Sequence, residues 1–308
     1  VPEGDTIARL AAKIADRFEG QVVTSSIFRH PRLATLDLTG RTLVATESHG
    51  KHLFLHWDND RSLHLHLLMQ GRIRFGATDQ TEEWRRRFEI RFESGAMTGV
   101  DVPILRSIPT NRVADTTSHL GPDLCGALDI ELAIARLAAA VASPLGAALL
   151  NQRNIAGFGN IYAVEVPFIC GVSPFRPIGE ITGLESLVAV GAALIRTNAH
   201  LGPQNTTGRW LNRSDHHILS GRTRKCPRCG SPLRRLSGDA SPWNRRTAMC
   251  PTCQHESHDA VDTARATKLL GLHPARQLLT FDDHGISYSG DRTPVTMHRS
   301  GRHRDSYL

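Results

Sequence analysis

The chain has 308 residues, a length that suits about two domains. Hydrophobic residues make up 40% and charged residues 22%, which excludes a largely disordered chain. No apolar run approaches the roughly 18 residues that a membrane helix needs, and the opening VPEGDTIARL lacks the apolar core of a secretory signal. We therefore expect a cytoplasmic protein with no membrane partner.

The charge of the chain indicates a polyanionic partner. The net charge is +7 and the isoelectric point is about 9.4, although a merely basic surface would give the same values. Residues 255–308 contain seven basic and seven acidic side chains, so the excess positive charge belongs to residues 1–254.

The N-terminal part of the chain reads as a helix followed by strands. Residues 5–20 have helical periodicity, with Asp5 as the candidate N-cap. Residues 21–118 alternate apolar and polar side chains between turn-forming residues, which predicts antiparallel strands in a β-sandwich. His64 and His66 lie on one face of a predicted strand, and we expect that face to be solvated and not to bind a metal.

Helical patterns dominate the next part of the chain. The predicted helices cover residues 130–141, 144–150, 160–168 and 184–199. Residues 201–224 are polar and rich in glycine and arginine, as in a loop. Residues 255–308 contain one possible helix around 260–279, and we expect the rest of this tail to be partly disordered.

Four cysteines predict a structural metal site. Cys226 and Cys229 form one CxxC pair, and Cys250 and Cys253 form a second pair twenty residues later. Two such turns complete a tetrahedral set of four thiolates, which predicts one structural Zn²⁺ per chain. Disulfides or a redox pair are the alternatives. They are less favoured because no secretory signal is seen and one redox dithiol needs no second copy.

The remaining cysteines and the arginines near the metal motif give two further expectations. Cys125 and Cys170 are expected to be buried free thiols. The arginines surrounding the four cysteines are typical of contacts with a nucleic-acid backbone.

Residues 149–174 read LLNQRNIAGFGNIYAVEVPFICGVSP, with a glycine-rich turn between two helices. As a whole, this string resembles the helix–two-turns–helix of the formamidopyrimidine-DNA glycosylase/endonuclease VIII family. Similar motifs occur in the family's order from residue 2 to residue 254. They are the opening Pro2–Thr6, the turn Gly50–Leu53, the strand end His66–Gly71, the junction Leu120–Leu124, and Arg245 five residues before Cys250.

The resemblance implies an α+β multidomain fold. Residues 1–120 would form a catalytic domain of an N-terminal helix with an antiparallel β-sandwich, and residues 121–220 the helix–two-turns–helix domain that binds DNA. Residues 221–254 would form the zinc β-hairpin, and residues 255–308 a C-terminal tail without a family counterpart. The chain would act as a monomer on damaged DNA and associate with the bacterial nucleoid when bound.

The resemblance also implies the catalytic residues. The amine of Pro2 would attack C1′ of the damaged nucleotide, because an α-amino group has a pKa of roughly 7.7–8.0 and is easily neutral. This requires removal of Val1, which a GTG start codon read as Met would allow; a retained Val1 would prevent the reaction. Glu3 would act as the general acid and base, and Lys51 would reach a phosphate or the sugar.

Three further residues match the family's contacts with DNA. Asn160 and Arg245 correspond to clamps on the phosphates, and Met69 corresponds to the wedge that fills the gap left by a flipped nucleotide. Ordinary roles are also possible for such types, since a methionine is often core and a lysine in a hairpin is often solvated.

The sequence departs from the family at several positions. Thr6 replaces the usual second glutamate, and the stretch GVDVPILRSIP replaces the DPRRFG loop that carries additional wedges. Pro167 lies inside a predicted helix, where it is expected to introduce a kink, and Ala248 and Met249 replace aromatic residues before Cys250.

Two hypotheses for function follow from these features. The first is a DNA glycosylase/AP lyase of base excision repair that removes oxidised bases, with pyrimidines favoured by the endonuclease VIII-like opening. The alternative is a non-catalytic zinc-ribbon DNA-binding protein on the same scaffold.

Overall fold

The computed structural model describes most of the chain. The described residues are 2–76, 82–209, 213–219, 224–271 and 273–290. They divide into two compact units. The first contains the residues up to Glu3 with Ile7–His119, and the second contains Gly4–Thr6 with the residues from Leu120 onward. In the described part of the chain, no helix is long and apolar enough to cross a membrane.

The first unit is built on a β-sandwich, as predicted. One sheet has the strand order β1-β6-β7-β5 and the other β2-β3-β4-β8, with every neighbouring pair antiparallel. The strands are β1 (Val23–Phe28), β2 (Leu43–His49), β3 (His52–Trp57), β4 (Arg61–His66), β5 (Arg72–Phe75), β6 (Arg86–Phe92), β7 (Gly95–Val100) and β8 (Ile104–Pro109).

Helix α1 (Gly4–Phe18) contributes one apolar face to the core of this sandwich. Ile7, Leu10, Ile14 and Phe18 are spaced at three or four residues and are all buried against the two sheets. The helix begins one residue earlier than predicted, with Glu3 in the N-cap position. The prediction that Asp5 is the N-cap is therefore wrong; this residue lies in the first turn and is fully buried.

On the histidine face of strand β4, His64 is buried and His66 is half-buried, which corrects the prediction of a solvated face. The antiparallel register places His52 opposite His66 and Phe54 opposite His64, so the alternation that puts leucines in the core puts these rings together. His64 is only 3% exposed. The prediction was wrong because alternation shows which residues share a face and does not show whether that face is covered.

The second unit is mainly helical, and its helices lie where the periodicity predicts them. They are α3 (Ile130–Ala138), α4 (Leu145–Leu150), α5 (Asn160–Cys170), α6 (Leu184–Leu201) and α7 (Thr263–Leu270), after the short α2 (Val113–Thr117) of the first unit. The buried faces of α3 to α6 form one apolar core. Helix α5 runs through Pro167 and ends at Gly171, which adopts the left-handed conformation of a C-cap.

A four-cysteine hairpin and a C-terminal segment complete the second unit. The hairpin, residues 224–254, contains the paired strands β9 (Arg234–Leu236) and β10 (Thr247–Met249). The C-terminal segment, residues 262–288, contains α7, a 3₁₀ turn at Pro274–Leu278, and the pair β11 (Leu279–Asp282) and β12 (Gly285–Tyr288).

The C-terminal segment differs from the expected tail. Leu270, Leu278 and Ile286 belong to the same core as α3 to α6. The expectation of disorder is thus corrected for the residues up to 290, and the part of the expectation that concerns residues 291–308 lies outside the described residues.

Candidate functional site

Pro2 and Glu3 precede helix α1 and differ in exposure. Pro2 is half-buried, and Glu3 is 1% exposed in the N-cap position. The carbonyl of Glu3 accepts the backbone N–H of Ile7 at 3.1 Å, which fixes this residue to the first helical turn. A carboxyl group at a helix N-terminus lies in a favourable field, and its burial beside residue 2 suits a group that exchanges protons with a bound substrate.

The next residues are held by the glycine-rich turn between α4 and α5. The N–H of Gly4 donates to the carbonyl of Gly157 at 2.9 Å. A Cβ atom on Gly4 would lie 2.6 Å from the Cα of Gly157, and Gly157 has a φ of +104°. The close approach requires a glycine at position 4, and the positive φ favours a glycine at position 157.

Asp5 anchors the same turn through a network of buried polar groups. Its carboxyl accepts the hydroxyl of Tyr162 at 2.9 Å and the side-chain amide of Gln204 at 3.0 Å, together with the N–H of Thr6 at 2.7 Å. The Tyr162 hydroxyl in turn accepts from the side-chain amide of Asn198 at 2.8 Å. The buried carboxyl of Asp5 therefore fixes the residues that follow Glu3.

Sequence reasoning missed this network. Asp5 looked like an ordinary helix cap, and its partners lie 157 and 199 positions away in the chain. On the helical wheel Asp5 lies opposite the apolar face of α1, so the periodicity gave no signal that it is buried.

Lys51 lies in the two-residue turn between β2 and β3, beside a cluster of histidines. Burial lowers the pKa of His66, and the positive charge of Lys51 lowers it further. The ring nitrogens of His52 and His64 are 2.8 Å apart, and the ring of His64 stacks on that of Phe54. Burial lowers the pKa of His52 to about 3 and that of His64 to about 4, so these rings are neutral beside Lys51 at pH 7.

Met69 lies in an exposed turn that holds two apolar side chains. Leu68 and Met69 are 43% and 56% exposed. Leu68 has a φ of +47°, a left-handed conformation that costs a leucine roughly 1–2 kcal/mol. The turn is closed by the N–H of Gly71, which donates to the carbonyl of Leu67 at 2.8 Å. An apolar tip on a closed turn can enter a gap between stacked bases.

Asn160, the first residue of α5, is brought next to the arginines of the four-cysteine hairpin. Its side-chain amide donates to the carbonyl of Arg246 at 2.9 Å, and its buried side-chain oxygen has no hydrogen-bond partner. Arg245 is half-buried and directly precedes Arg246. The N-terminal backbone of a helix and an adjacent arginine are a combination suited to a phosphate.

The four cysteines form one cluster with the geometry of a metal site. Their sulfurs lie within 4.8 Å of one another, with Cys226 and Cys253 at 3.9 Å and Cys229 and Cys250 at 3.5 Å. Metal–sulfur bonds of about 2.3 Å in a tetrahedron require sulfurs about 3.8 Å apart, so the cluster fits one ion. Among the described residues, this is the single group of three or more cysteines, histidines or acids close enough to bind a metal.

The packing of the hairpin accounts for the aromatic residues absent before Cys250. Ala248 and Met249 are buried in strand β10. The aromatic contact comes instead from Trp243, whose ring lies 5.2 Å from that of Phe175. A Cβ on Gly146 would lie 2.7 Å from the Trp243 ring, so this glycine makes room for it.

The two cysteines outside the cluster are only partly as predicted. Cys170 is fully buried in helix α5, and burial raises its pKa to about 12, so it is an unreactive thiol. Cys125 is half-buried as a residue, and burial of its thiol raises the pKa well above the usual range.

The chain is similar to DNA repair proteins. A sequence profile of the formamidopyrimidine-DNA glycosylase N-terminal domain matches residues 1–102. The probable endonuclease 8 2 of Streptomyces coelicolor is 36% identical over 261 residues, which cover 82% of this chain and 94% of that protein. The DNA-(apurinic or apyrimidinic site) lyase Nei2 of Mycolicibacterium smegmatis is 33% identical over 258 residues, which cover 83% of this chain and all of that protein.

Solved structures share the fold. A formamidopyrimidine-DNA glycosylase of Lactococcus lactis, bound non-covalently to DNA with an AP site, aligns with a TM-score of 0.70. The two sequences are 23% identical, and the alignment covers 83% of this chain and 100% of that one. This likeness confirms the predicted fold class.

Proposed function

Because the chain belongs to the formamidopyrimidine-DNA glycosylase/endonuclease VIII family, we propose that it is a DNA glycosylase and AP lyase of base excision repair. The observation that carries this proposal is the buried carboxyl of Glu3 directly after Pro2, on a turn that Gly157 and Asp5 hold in place. Such a turn fixes an amine and an acid in one orientation, which is what attack at C1′ requires.

The proposed reaction starts at the amine of Pro2, in a chain from which residue 1 has been removed. The nitrogen lone pair forms a bond to C1′ while the bond between C1′ and the base breaks, and the base leaves with its bonding electrons and takes up the proton that the amine nitrogen loses. Glu3 supplies a proton to the sugar ring oxygen as the ring opens. The product is an iminium ion, which keeps its positive charge because a secondary amine has no further proton to lose.

Strand cleavage follows from that charge. The iminium makes the hydrogen on C2′ acidic, and its loss to a base expels the phosphate from C3′. A second elimination expels the phosphate from C5′, and water then releases the sugar fragment from Pro2. Lys51 is proposed to hold a phosphate or the sugar during these steps. Its place in the turn between β2 and β3, from which a long side chain can extend, supports that role.

The contacts with DNA are proposed from the same similarity. Met69 would fill the gap left by the flipped nucleotide, while Asn160 and Arg245 would hold phosphates. The four cysteines would bind one Zn²⁺, which orders the hairpin that carries Arg245 and takes no part in the chemistry. We propose oxidised pyrimidines as the preferred lesions and a monomer acting at the bacterial nucleoid as the functional form.

Covalent trapping tests the nucleophile. With borohydride, a chain that begins at Pro2 should form a stable adduct with DNA containing an abasic site, and peptide mapping should locate the adduct on Pro2. A chain that retains one residue before Pro2 should bind the DNA and form no adduct. Trapping that persists with the blocked terminus would transfer the role to a lysine, with Lys51 the first candidate.

Single substitutions separate the other roles. Glu3→Gln should slow base excision more than cleavage of a pre-formed abasic site, which has no glycosidic bond left to break. Lys51→Ala should reduce excision by roughly 100-fold, as loss of a well-placed charge does. The exposed Lys268 provides the matched control, and Lys268→Ala should be unaffected. Normal DNA binding without any trapping or excision would favour the non-catalytic alternative.

A panel of oligonucleotides tests the lesion class. Each oligonucleotide contains one oxidised pyrimidine or one 8-oxoguanine, and the rate of excision is measured under single-turnover conditions. Faster excision of 8-oxoguanine would overturn the proposed preference and leave the chemistry intact.

A further inference from the structure

The C-terminal segment makes two buried polar contacts with other parts of the second unit, namely the four-cysteine hairpin and the turn at residues 205–209. One comes from Arg265 on α7, and the other from His273 at the start of the 3₁₀ turn. These residues are 2% and 1% exposed. Arginine is among the residues least often buried in this way, because its charge loses its water, so such a position requires an explanation.

Arg265 reaches the last cysteine of the four-cysteine hairpin. Its Nε donates to the carbonyl of Phe168 at 2.9 Å, and its Nη1 donates to the carbonyl of Cys253 at 3.4 Å. The guanidinium lies 4.7 Å above the ring of Phe168, which supplies a second favourable contact for the charge. Asp262 accepts the backbone N–H of Arg265 at 2.8 Å and thereby caps the helix that presents it.

The charge of Arg265 matches what a metal centre of four thiolates needs. Four thiolates and one divalent cation leave two negative charges in a partly buried site. Arg228 donates to the sulfur of Cys253 at 3.9 Å from within the hairpin. Arg265 adds a cation from outside the hairpin and holds the backbone of a ligand, which is how residues surrounding a metal site orient its ligands.

His273 holds the turn at residues 205–209 in a similar way. Its Nε2 lies 3.1 Å from the carbonyl of Asn205, while its Nδ1 accepts the N–H of Ala275 at 3.0 Å. The backbone of Gly208 approaches so closely that a Cβ there would lie 2.8 Å from the Cα of His273. The same turn is tied by Asn205, whose side-chain oxygen accepts the N–H groups of Thr207 and Gly208.

We propose that residues 262–288 form a brace, in which Arg265 positions the Cys250–Cys253 turn of the hairpin and His273 positions the 205–209 turn. The apolar residues of the segment dock it on the core, and the two polar side chains transmit that position to the two turns. The expectation that the brace affects DNA binding rests on the proposed function. The expectation that the brace slows the loss of the metal rests only on contacts within the second unit.

The test compares Arg265→Met with Arg276→Met. Arg276 lies in the same segment, donates to the carbonyl of Thr267 at 3.0 Å and stacks 4.6 Å above Phe281, but both of these partners belong to the segment itself. Loss of zinc to a chelator is followed with a chromogenic indicator, and the melting temperature is measured in parallel. Arg265→Met should release zinc at least about tenfold faster than Arg276→Met at a similar melting temperature.

Arg265→Lys separates the contribution of the positive charge of residue 265 from that of its shape. This variant also keeps the proposal testable if Arg265→Met does not fold. Lysine keeps the charge but lacks the planar guanidinium whose Nε and Nη1 donate in fixed directions to two carbonyls, so zinc release should lie between the wild type and Arg265→Met. Amide hydrogen exchange at residues 250–254 should increase in the same order. The brace would be overturned if Arg265→Lys releases zinc and exchanges its amides at the wild-type rates. Any Arg265→Met protein that folds would then also have to release zinc at the wild-type rate.

His273→Ala tests the second contact. Exchange should increase at residues 205–209 and remain unchanged at residues 250–254. Unchanged exchange at 205–209 would overturn this part. If these effects occur in a protein that cannot be trapped on DNA, the brace stands and the proposed activity fails.

Discussion

The four-cysteine hairpin and the C-terminal segment follow one another in the chain and are stabilised by different means. The hairpin has two strands of three residues each, and a small buried cluster built largely from three of its cysteines and Ala248. The C-terminal segment has no chemical motif, yet it contributes Leu270, Leu278 and Ile286 to the main core of its unit.

The comparison shows that chemical motifs and folding contributions are encoded separately. A metal can replace a hydrophobic core when ligands are well spaced, whereas a segment without ligands must bury apolar area. We therefore expect the two regions to fail differently when each is removed.

Truncation after Gln254 should have the largest effect. A partly disordered tail without a family counterpart would be dispensable for base excision, but the packing of the residues up to 290 leads to the opposite expectation. The truncation removes seven buried apolar side chains from the core, namely Val261, Ala266, Leu270, Ala275, Leu278, Leu279 and Ile286. The five valine, leucine and isoleucine side chains among them contribute about 1.5–3 kcal/mol each, so their loss is comparable to the whole stability of a domain and the second unit should not fold.

Solubility, circular dichroism and trapping on DNA measure this outcome. Truncation after Gly290 is the matched control, because it keeps every one of these core residues and should behave as the full chain does. A truncation after Gln254 that stays folded and active would show that the segment is peripheral to the core.

Cys250→Ser should produce a large but local effect. The thiolate is one of four ligands, and structural zinc contributes about 10 kcal/mol or more to the folding of small zinc modules. The main core contains none of the four clustered cysteines, so the helices should persist. We expect loss of the metal and at least a tenfold loss of DNA affinity, on the order expected when a phosphate-contacting element becomes disordered.

Metal analysis and a DNA-binding titration check this prediction. Cys170→Ala is the control, since this buried thiol lies outside the cluster and its loss should leave the metal in place. Wild-type DNA affinity in a metal-free Cys250→Ser protein would separate the hairpin from DNA binding, and freshly purified, reduced protein without zinc would exclude the metal.

Asp5→Asn should have an intermediate effect on stability and on the rate of excision. It extends the comparison to the start of α1, which is held by buried hydrogen bonds and not by a metal or by apolar packing. The amide group of asparagine cannot accept from both Tyr162 and Gln204, so one buried donor loses its partner at a cost of about 1–3 kcal/mol. The resulting shift of Pro2 and Glu3 should slow excision by up to about 100-fold, since small misplacements at a reacting centre have effects of this size.

The exposed Asp16 on the same helix is the control for this substitution. Asp16→Asn should change neither the free energy of unfolding nor the rate of excision. Urea unfolding gives the stability and single-turnover excision gives the rate. A full rate in Asp5→Asn would mean that the turn is fixed by Gly4 and Gly157 alone.

The sequence predicted well what is encoded by local periodicity or spacing. The strands of the sandwich, helices α3 to α6 and the four-cysteine cluster all follow from patterns within about 30 residues of chain. It failed for Asp5, because a helix-cap rule considers only nearby residues and the actual partners are distant in sequence. It failed for the C-terminal segment because the apolar residues are interspersed with charges, among them Arg265, which is itself buried.

The smallest expected effect is the part of the acid-induced loss of stability that arises from His273. Measuring it tests the C-terminal segment without changing the apolar contacts of that segment. Burial lowers the pKa of His273 to about 4, opposed by its bond to the Asn205 carbonyl and aided by the charge of His217. Because Nδ1 already accepts the N–H of Ala275, a second proton on the ring would face a donor.

In the unfolded chain the pKa of this histidine returns to about 6.5, so between that pH and about 4 the unfolded state binds more protons. The stabilisation from neutral His273 is complete above pH 6.5 and decreases as the pH falls toward 4. From pH 7 to pH 5 the decrease should be about 2 kcal/mol. His273→Gln keeps an amide donor but does not titrate. Between pH 7 and pH 5, its free energy of unfolding in urea should therefore decrease by about 2 kcal/mol less than that of the wild type. The exposed His284 is the control, and His284→Gln should keep the wild-type dependence. Equal pH dependence in wild type and His273→Gln would show that His273 is not held in the buried neutral form on which the brace depends.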